Sequence, residues 1–163
     1  MSKPARPDAP AARPRGTAFL LSQIGAHAAQ RFAERVSALG VVPSDVGLLR
    51  LISADPGRSQ QSLAKELGVV PSRVVTLIDA LERKGLVERR RSPRDRRHHE
   101  LHLTAEGARV MSEMLSLGSA HEDEVCAPLD EDQRAQLTAL LETLAAHHGL
   151  APGVHPGYRA LPR

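Results

Sequence analysis

Residues 83–104 read RKGLVERRRSPRDRRHHELHLT. Eight of them are Arg or Lys (Arg83, Lys84, Arg89, Arg90, Arg91, Arg94, Arg96 and Arg97), and only Glu88, Asp95 and Glu100 are acidic. Two arms carry apolar residues, Leu86-Val87 before a Ser-Pro turn and Leu101 with Leu103 after it. Leu86 to Arg90 and His98 to Leu103 are therefore expected to pair as a hairpin. On the second strand His99, Leu101 and Leu103 share one face, and His98, Glu100 and His102 the other. The tip between the strands is loaded with arginine, and the residues around it decide what such a tip is for.

Immediately upstream lie two helical patterns. Ser59 can cap a short helix over QQSLAKEL, with Leu63, Ala64 and Leu67 as its apolar stripe and Gly68 as its stop. A longer helix follows over PSRVVTLIDALERK. Pro71 suits its first turn, Val74, Leu77, Ile78 and Leu81 recur at helical spacing, and Gly85 closes it. Short helix, tight turn, longer helix and basic hairpin together spell a helix-turn-helix with a wing.

The flanking segments also read as helices. Over residues 17–39, Leu20, Ile24, Ala28, Phe32 and Val36 fall four apart, with Leu21 and Leu39 beside them and Gly40 as a stop. A second helix opens near Pro43-Ser44, buries Leu48, Leu49, Leu51 and Ile52, and closes at Pro56-Gly57. After the hairpin, Thr104 caps a helix expected to reach about Ala127, with Val110, Met111, Met114, Leu115 and Val125 inward. Pro128 breaks it. Asp130 with Gln133 is a capping-box pair that starts a last helix striped by Leu137, Leu140, Leu141 and Leu144. The fold class is thus mainly α with a small β-hairpin wing: a winged helix-turn-helix lobe plus a helical dimerisation region. The lobe spans about 44–103 and the dimerisation helices about 17–39 and 104–148. Residues 1–16 read as a flexible basic arm and 149–163 as a flexible Pro/Gly-rich tail.

Composition narrows the function. The chain has 163 residues, 2% aromatic residues and no Trp, which suits helix-on-helix packing of aliphatic side chains. Net charge is only +3, but it is unevenly placed. Residues 83–97 hold eight basic residues against two acidic, and residues 105–148 two basic against nine acidic. Such asymmetry suits a polyanion at one pole. The single cysteine, Cys126, leaves no partner for an internal disulfide, and a cytoplasmic setting is the expectation. No stretch reads as a signal peptide or a membrane span. No Gly-rich phosphate loop, Ser/His/Asp order or HExxH string appears, so an enzyme is not expected.

The second helix of such a pair enters the major groove and reads bases with its N-terminal end. That end offers Ser72, Arg73 and Thr76, opposite the apolar stripe, and Arg73 can fork onto a guanine edge. Ser59, Gln60 and Gln61 head the preceding helix and join the expected DNA contacts. The hairpin tip places Arg94, Arg96 and Arg97 at the neighbouring minor groove or phosphates.

The order of elements and several strings resemble the MarR family of bacterial transcription regulators. The strings are SQQSLAKELGV, LIDALERKGLVERR, SPRDRRHHELHLT and the TAEG that opens the next helix, within a resemblance spanning about residues 17–148. It implies a homodimer joined through the first and last helices, a pseudo-palindromic double-stranded operator, and repression relieved by a small-molecule effector or by oxidation. It also implies that Asp95 holds an inserting Arg97. The family's effector pocket would lie near His27, Arg31 and the start of the second helix. Its zinc-sensing members make zinc a possible cofactor, with His27, Glu34 and His121 as candidate ligands. The first helix lacks the cysteine of the oxidation-sensing members, and the missing Trp departs from the urate-sensing ones. The alternative is a non-enzymatic winged-helix protein that binds DNA without operator specificity, or binds a protein partner.

Overall fold

A computed structural model describes residues 16–93, 99–155 and 158. Residues 1–15 of the arm expected over 1–16, and the tip residues Arg94, Asp95, Arg96, Arg97 and His98, lie outside the described residues. The elements run α1 (Thr17–Ser37), α2 (Pro43–Ala54), α3 (Gln60–Leu67), α4 (Pro71–Arg83), β1 (Val87–Arg91), β2 (His99–Leu103), α5 (Ala105–Val125) and α6 (Glu131–His147). No helix among them is long and apolar enough to cross a membrane.

Local chemistry accounts for the boundaries. The Ser59 hydroxyl accepts the Ser62 N–H at 3.1 Å, satisfying one of the unpaired donors that begin α3. Gly68 ends that helix in the left-handed conformation at φ 65°, which a side chain would resist. Asp130 and Gln133 exchange bonds of 3.0 and 2.8 Å at the start of α6, as their spacing implies. Thr104 accepts from the Gly107 N–H at 3.0 Å and donates to the Gly85 carbonyl at 2.6 Å. One hydroxyl thus caps α5 and pins it to the end of α4. Gly107 is itself obligatory, because a Cβ there would overlap the Leu86 carbonyl oxygen.

The hairpin is antiparallel, with Val87 opposite Leu103, Arg89 opposite Leu101 and Arg91 opposite His99. β1 starts one residue later than expected, because Leu86 is occupied by the helix end: its N–H donates to the Leu81 carbonyl at 3.0 Å. A further pairing was not legible in the sequence. Gly57 donates to the Leu101 carbonyl at 2.9 Å, and Leu101 donates to the Arg58 carbonyl at 3.0 Å. The connection into α3 therefore lies along β2 and fixes the wing stem to the helical lobe.

The core gathers Leu48, Leu49 and Ile52 of α2, Leu63 and Leu67 of α3, Val74, Ile78 and Leu81 of α4, and Leu101 of β2, all at most 2% exposed. Val36 closes it from α1 and Val110 and Met114 from α5. Full burial of each large aliphatic side chain is worth about 1.5–3 kcal/mol relative to exposure. The flanking helices differ. Leu20 and Ile24 of α1 are 41% and 57% exposed, and Leu137, Leu140, Leu141 and Leu144 of α6 are 38–57% exposed. No residue of α6 is buried within the chain. Leu115, expected to face inward, is instead 73% exposed, because at that turn Met114 and, in part, Leu117 take the inward positions of α5. α5 also ends at Val125, two residues before the expected Ala127.

The expected looseness of the tail does not extend to Tyr158. This residue, the only tyrosine in the sequence, is 6% exposed and belongs to the core cluster. Its hydroxyl donates to the Ser44 carbonyl, and its ring occupies the space that a side chain at Gly47 would need. Burial pushes the phenol up to about 12, with Asp45 adding to the effect. Gly153 passes so near α2 that a Cβ there would lie 2.8 Å from an Arg50 nitrogen.

Candidate nucleic-acid interface

α4 turns its stripe of Val74, Ile78 and Leu81 wholly into the core, which leaves Ser72 and Thr76 exposed on the opposite side. The Thr76 hydroxyl donates back to the Ser72 carbonyl at 3.2 Å, which fixes its rotamer while its lone pairs remain available. Arg73 is half-buried at the first turn, and the Arg73 N–H donates to the Val70 carbonyl at 3.0 Å. Ser59, Gln60 and Gln61 line a groove of about 460 Å³ together with Val75, Asp79, Arg89 and His99. This groove brings α3, α4 and both strands of the wing stem to one face, so Ser59, Gln60 and Gln61 sit beside α4. Val75 was missed because valine reads as core, yet it is 40% exposed here.

The basic stretch itself divides. Lys84 donates to Asp45 at 2.6 Å and to the Gly40 carbonyl at 3.1 Å, tying the end of α4 to the start of α2. Asp45 is buried and also accepts the Val42 N–H at 3.0 Å. Arg90 pairs with Glu88 on its own strand. Arg89 is 21% exposed and reaches Asp79 at 2.6 Å and Glu82, both on α4. With its amide oxygen turned toward Arg89, Gln60 accepts from the same guanidinium at 2.5 and 2.9 Å. Lys84, Arg89 and Arg90 are thus paired with carboxylates of the chain itself, and none of them is among the arginines expected at DNA. Arg58, outside that stretch, is also buried; it donates to the Leu51 carbonyl at 3.2 Å and to Ser62 at 3.0 Å, and pairs with Glu66.

The residues expected at an effector or metal site behave differently. His27 is exposed on α1. Arg31 pairs with Glu34 at 2.7 Å and with Glu124 at 3.0 Å, and Arg35 also pairs with Glu124. These bonds join α1 to the end of α5. Hydrogen bonds from Gln30 and Arg31 hold the Glu34 carboxyl below its usual range. His121 packs its ring 5.5 Å from that of Phe32. Burial, assisted by Arg35, lowers its pKa, and its Nδ1 is buried without a partner. Among the described residues no three His, Cys, Asp or Glu side chains gather to hold a metal. His27, Glu34 and His121, the candidate zinc ligands, are not brought together there: Arg31 pairs with the Glu34 carboxylate and the Phe32 ring packs against His121. The Cys126 thiol is raised by burial, so the less nucleophilic protonated form is favoured. A separate groove of about 410 Å³ lies between α2 and α5, lined by Arg50, Ser53, Ala54, Ala108, Met111, Ser112 and Leu115.

With this geometry in hand, comparison with known proteins is decisive. The MarR family model matches residues 42–99. A Thauera aromatica protein named as a transcriptional regulatory protein for the hcr operon is 34% identical over 116 residues, 71% of this chain and 70% of that one. The chain belongs to the MarR family. The transcriptional repressor CouR, solved bound to a 23-mer DNA duplex, superposes with a TM-score of 0.71 at 34% identity, covering 79% of this chain and 92% of CouR. The Mycobacterium tuberculosis MarR family protein Rv2887, solved with salicylic acid, gives 0.63 at 28% identity over 82% of this chain and 99% of that one. The winged helix-turn-helix expected from the sequence is the fold of these relatives.

Proposed function

We propose that the protein is a homodimeric, sequence-specific DNA-binding transcriptional regulator, a cytoplasmic, non-enzymatic repressor released by a small molecule. The observation that carries this reading is α4. Its Val74, Ile78 and Leu81 are buried in the core, and Ser72 and Thr76 at its N-terminal end are exposed on the other side, with Arg73 half-buried beside them. In this reading Arg73 forks onto a guanine, Val75 meets a thymine methyl group, and Ser59, Gln61 and Ser72 position the backbone. Arg97, oriented by Asp95, enters the minor groove, and Arg94 and Arg96 hold phosphates. The lobe over about 44–103 reads DNA. The helices over about 17–39 and 104–148 pair two copies and cover the open leucine stripes. Residues 1–16 serve as a basic arm.

The effector reading rests on the α2–α5 groove rather than on His27 and Arg31. Arg50 offers an exposed guanidinium there, and Met111 and Leu115 offer an apolar wall. That combination suits a small aromatic carboxylate, the class to which the ligand of Rv2887 belongs. Such a ligand shifts DNA binding only if it prefers the DNA-incompetent arrangement.

Selection of bound duplexes from a random pool tests the function. A pseudo-palindrome with half-sites about 10 base pairs apart, preferred over random DNA by about a thousandfold or more, is expected. Uniform binding to all duplexes would support an architectural winged-helix protein instead. Absence of DNA binding, with retention of a protein ligand, would support a protein-interaction module.

A further inference from the structure

Arg89 lies within the most basic stretch of the chain, yet its donors are taken. Nη2 donates to Asp79 at 2.6 Å, and Nη1 donates to Glu82. The turned Gln60 amide oxygen takes Nε and a share of Nη2. The backbone N–H of Arg89 also donates to Glu82, at 3.1 Å. One guanidinium therefore ties the head of α3, the exposed side of α4 and the first strand of the wing. All ion pairs between β1 and α4 among the described residues run through it.

We infer that Arg89 is a positioning residue for DNA reading, which sets the wing against the reading helix and holds two carboxylates away from the phosphates. A duplex presents its major and minor grooves in fixed relation. A reading helix and a wing gain from both grooves only if their mutual angle is set beforehand. Backbone bonds hold the base of the stem at Leu86 and tie β2, through Leu101, to Gly57 and Arg58, but beyond Leu86 no backbone-to-backbone bond between β1 and α4 among the described residues sets the angle of that strand against the helix. The planar fork of Arg89 does so, because its donors have fixed directions that an ammonium lacks. Electrostatics works the same way. Asp79 is half-exposed and lines the groove proposed to face DNA. Left without Arg89, it and Glu82 would present two negative charges to a polyanion.

This inference rests on the DNA-reading function proposed above, so the experiment separates the two. Full-length wild type, Arg89→Gln, Arg89→Lys, Asp79→Asn and the double variant Arg89→Gln/Asp79→Asn are titrated with the selected duplex and a scrambled duplex over a salt series. Amide hydrogen exchange of Val87–Arg91 is followed without DNA. Arg89→Gln is expected to weaken operator binding by about tenfold or more, with a smaller loss on scrambled DNA. Its salt slope should be unchanged, and exchange in β1 should be faster. Arg89→Lys should recover only part of the affinity. Asp79→Asn should weaken operator binding although it removes a negative charge, and the double variant should be no weaker than Arg89→Gln alone. A phosphate contact would instead lower the salt slope by about one and weaken both duplexes equally. That result, an additive double variant, tighter operator binding by Asp79→Asn, or unchanged exchange in Arg89→Gln would each overturn the positioning role. If wild type shows no preference for any duplex, the regulator reading fails, and the exchange measurement still decides whether Arg89 fixes the wing.

Discussion

The lobe from α2 to β2 and the flanking helices α1 and α6 are built from the same aliphatic residues, yet they use them differently. In the lobe the leucines, valines and isoleucines meet each other, and ten of them are at most 2% exposed. In α6 four leucines at helical spacing are 38% exposed or more, and none is buried. The lobe's polar groups are likewise settled within the chain: Asp45 with Lys84, Arg58 with Glu66, Arg89 with Asp79 and Glu82. A region that completes its own core folds to present a surface. A region that leaves its stripe open offers it to a partner, which in the proposed function is another copy of the chain. In the proposed regulator the lobe would be the reading head and the open stripes would join two of them.

The division can be broken most severely at α6. Replacing Leu140 and Leu144 together by Glu should convert the dimer to a monomer at micromolar concentration. Operator affinity should drop by about a hundredfold or more, since binding two half-sites as one unit is lost. The circular dichroism of the lobe should persist. Loss of all helical signal would mean that the lobe depends on the stripe for folding. Within the lobe, Ile78→Ala should cost about 2–5 kcal/mol of stability in urea unfolding, the range for a fully buried aliphatic residue. A cost below about 1 kcal/mol would show that this core is looser than its burial implies. On the reading face, Arg73→Ala should cost about 1–3 kcal/mol of operator affinity, concentrated at one base position. An equal loss for every sequence would make Arg73 a phosphate contact.

Two smaller effects sharpen the boundary between the regions. Tyr158→Phe removes a hydroxyl bonded to the Ser44 carbonyl. It should cost about 0.5–1.5 kcal/mol, with no change if the tail does not seat on α2. His121 carries the pH dependence. Its folded-state pKa lies below its ordinary value, through burial first and Arg35 second. The fold therefore favours the neutral ring. That contribution is complete above the unfolded value of about 6.5 and is lost as pH falls through the folded value. Wild type should lose more stability than His121→Gln between neutral and mildly acidic pH. Parallel curves for the two proteins would remove His121 from that role.

Periodicity and punctuation were enough to read the helices, the caps at Ser59, Thr104 and Asp130, and the hairpin, because each is a local property of a few neighbouring residues. The two open stripes were also visible as stripes, although only packing distinguishes a core face from an interface face. Leu115 was misread for that reason. What stayed hidden depends on partners far along the chain. Lys84 meets Asp45 across 39 residues, and Tyr158 reaches Ser44 across 114. The partners of Arg89 stayed hidden by the same limit. Charge is legible in a sequence, whereas the carboxylate that a folded arginine faces is not.

The most direct test of the division is the mass of the protein alone and on its DNA. Sedimentation of the full chain at micromolar concentration, free and with the selected duplex, reports both states in one experiment. A dimer in solution, two chains per duplex, and loss of both on substitution of Leu140 and Leu144 by Glu is the expected result. A monomer that binds one chain per duplex with undiminished affinity would contradict it.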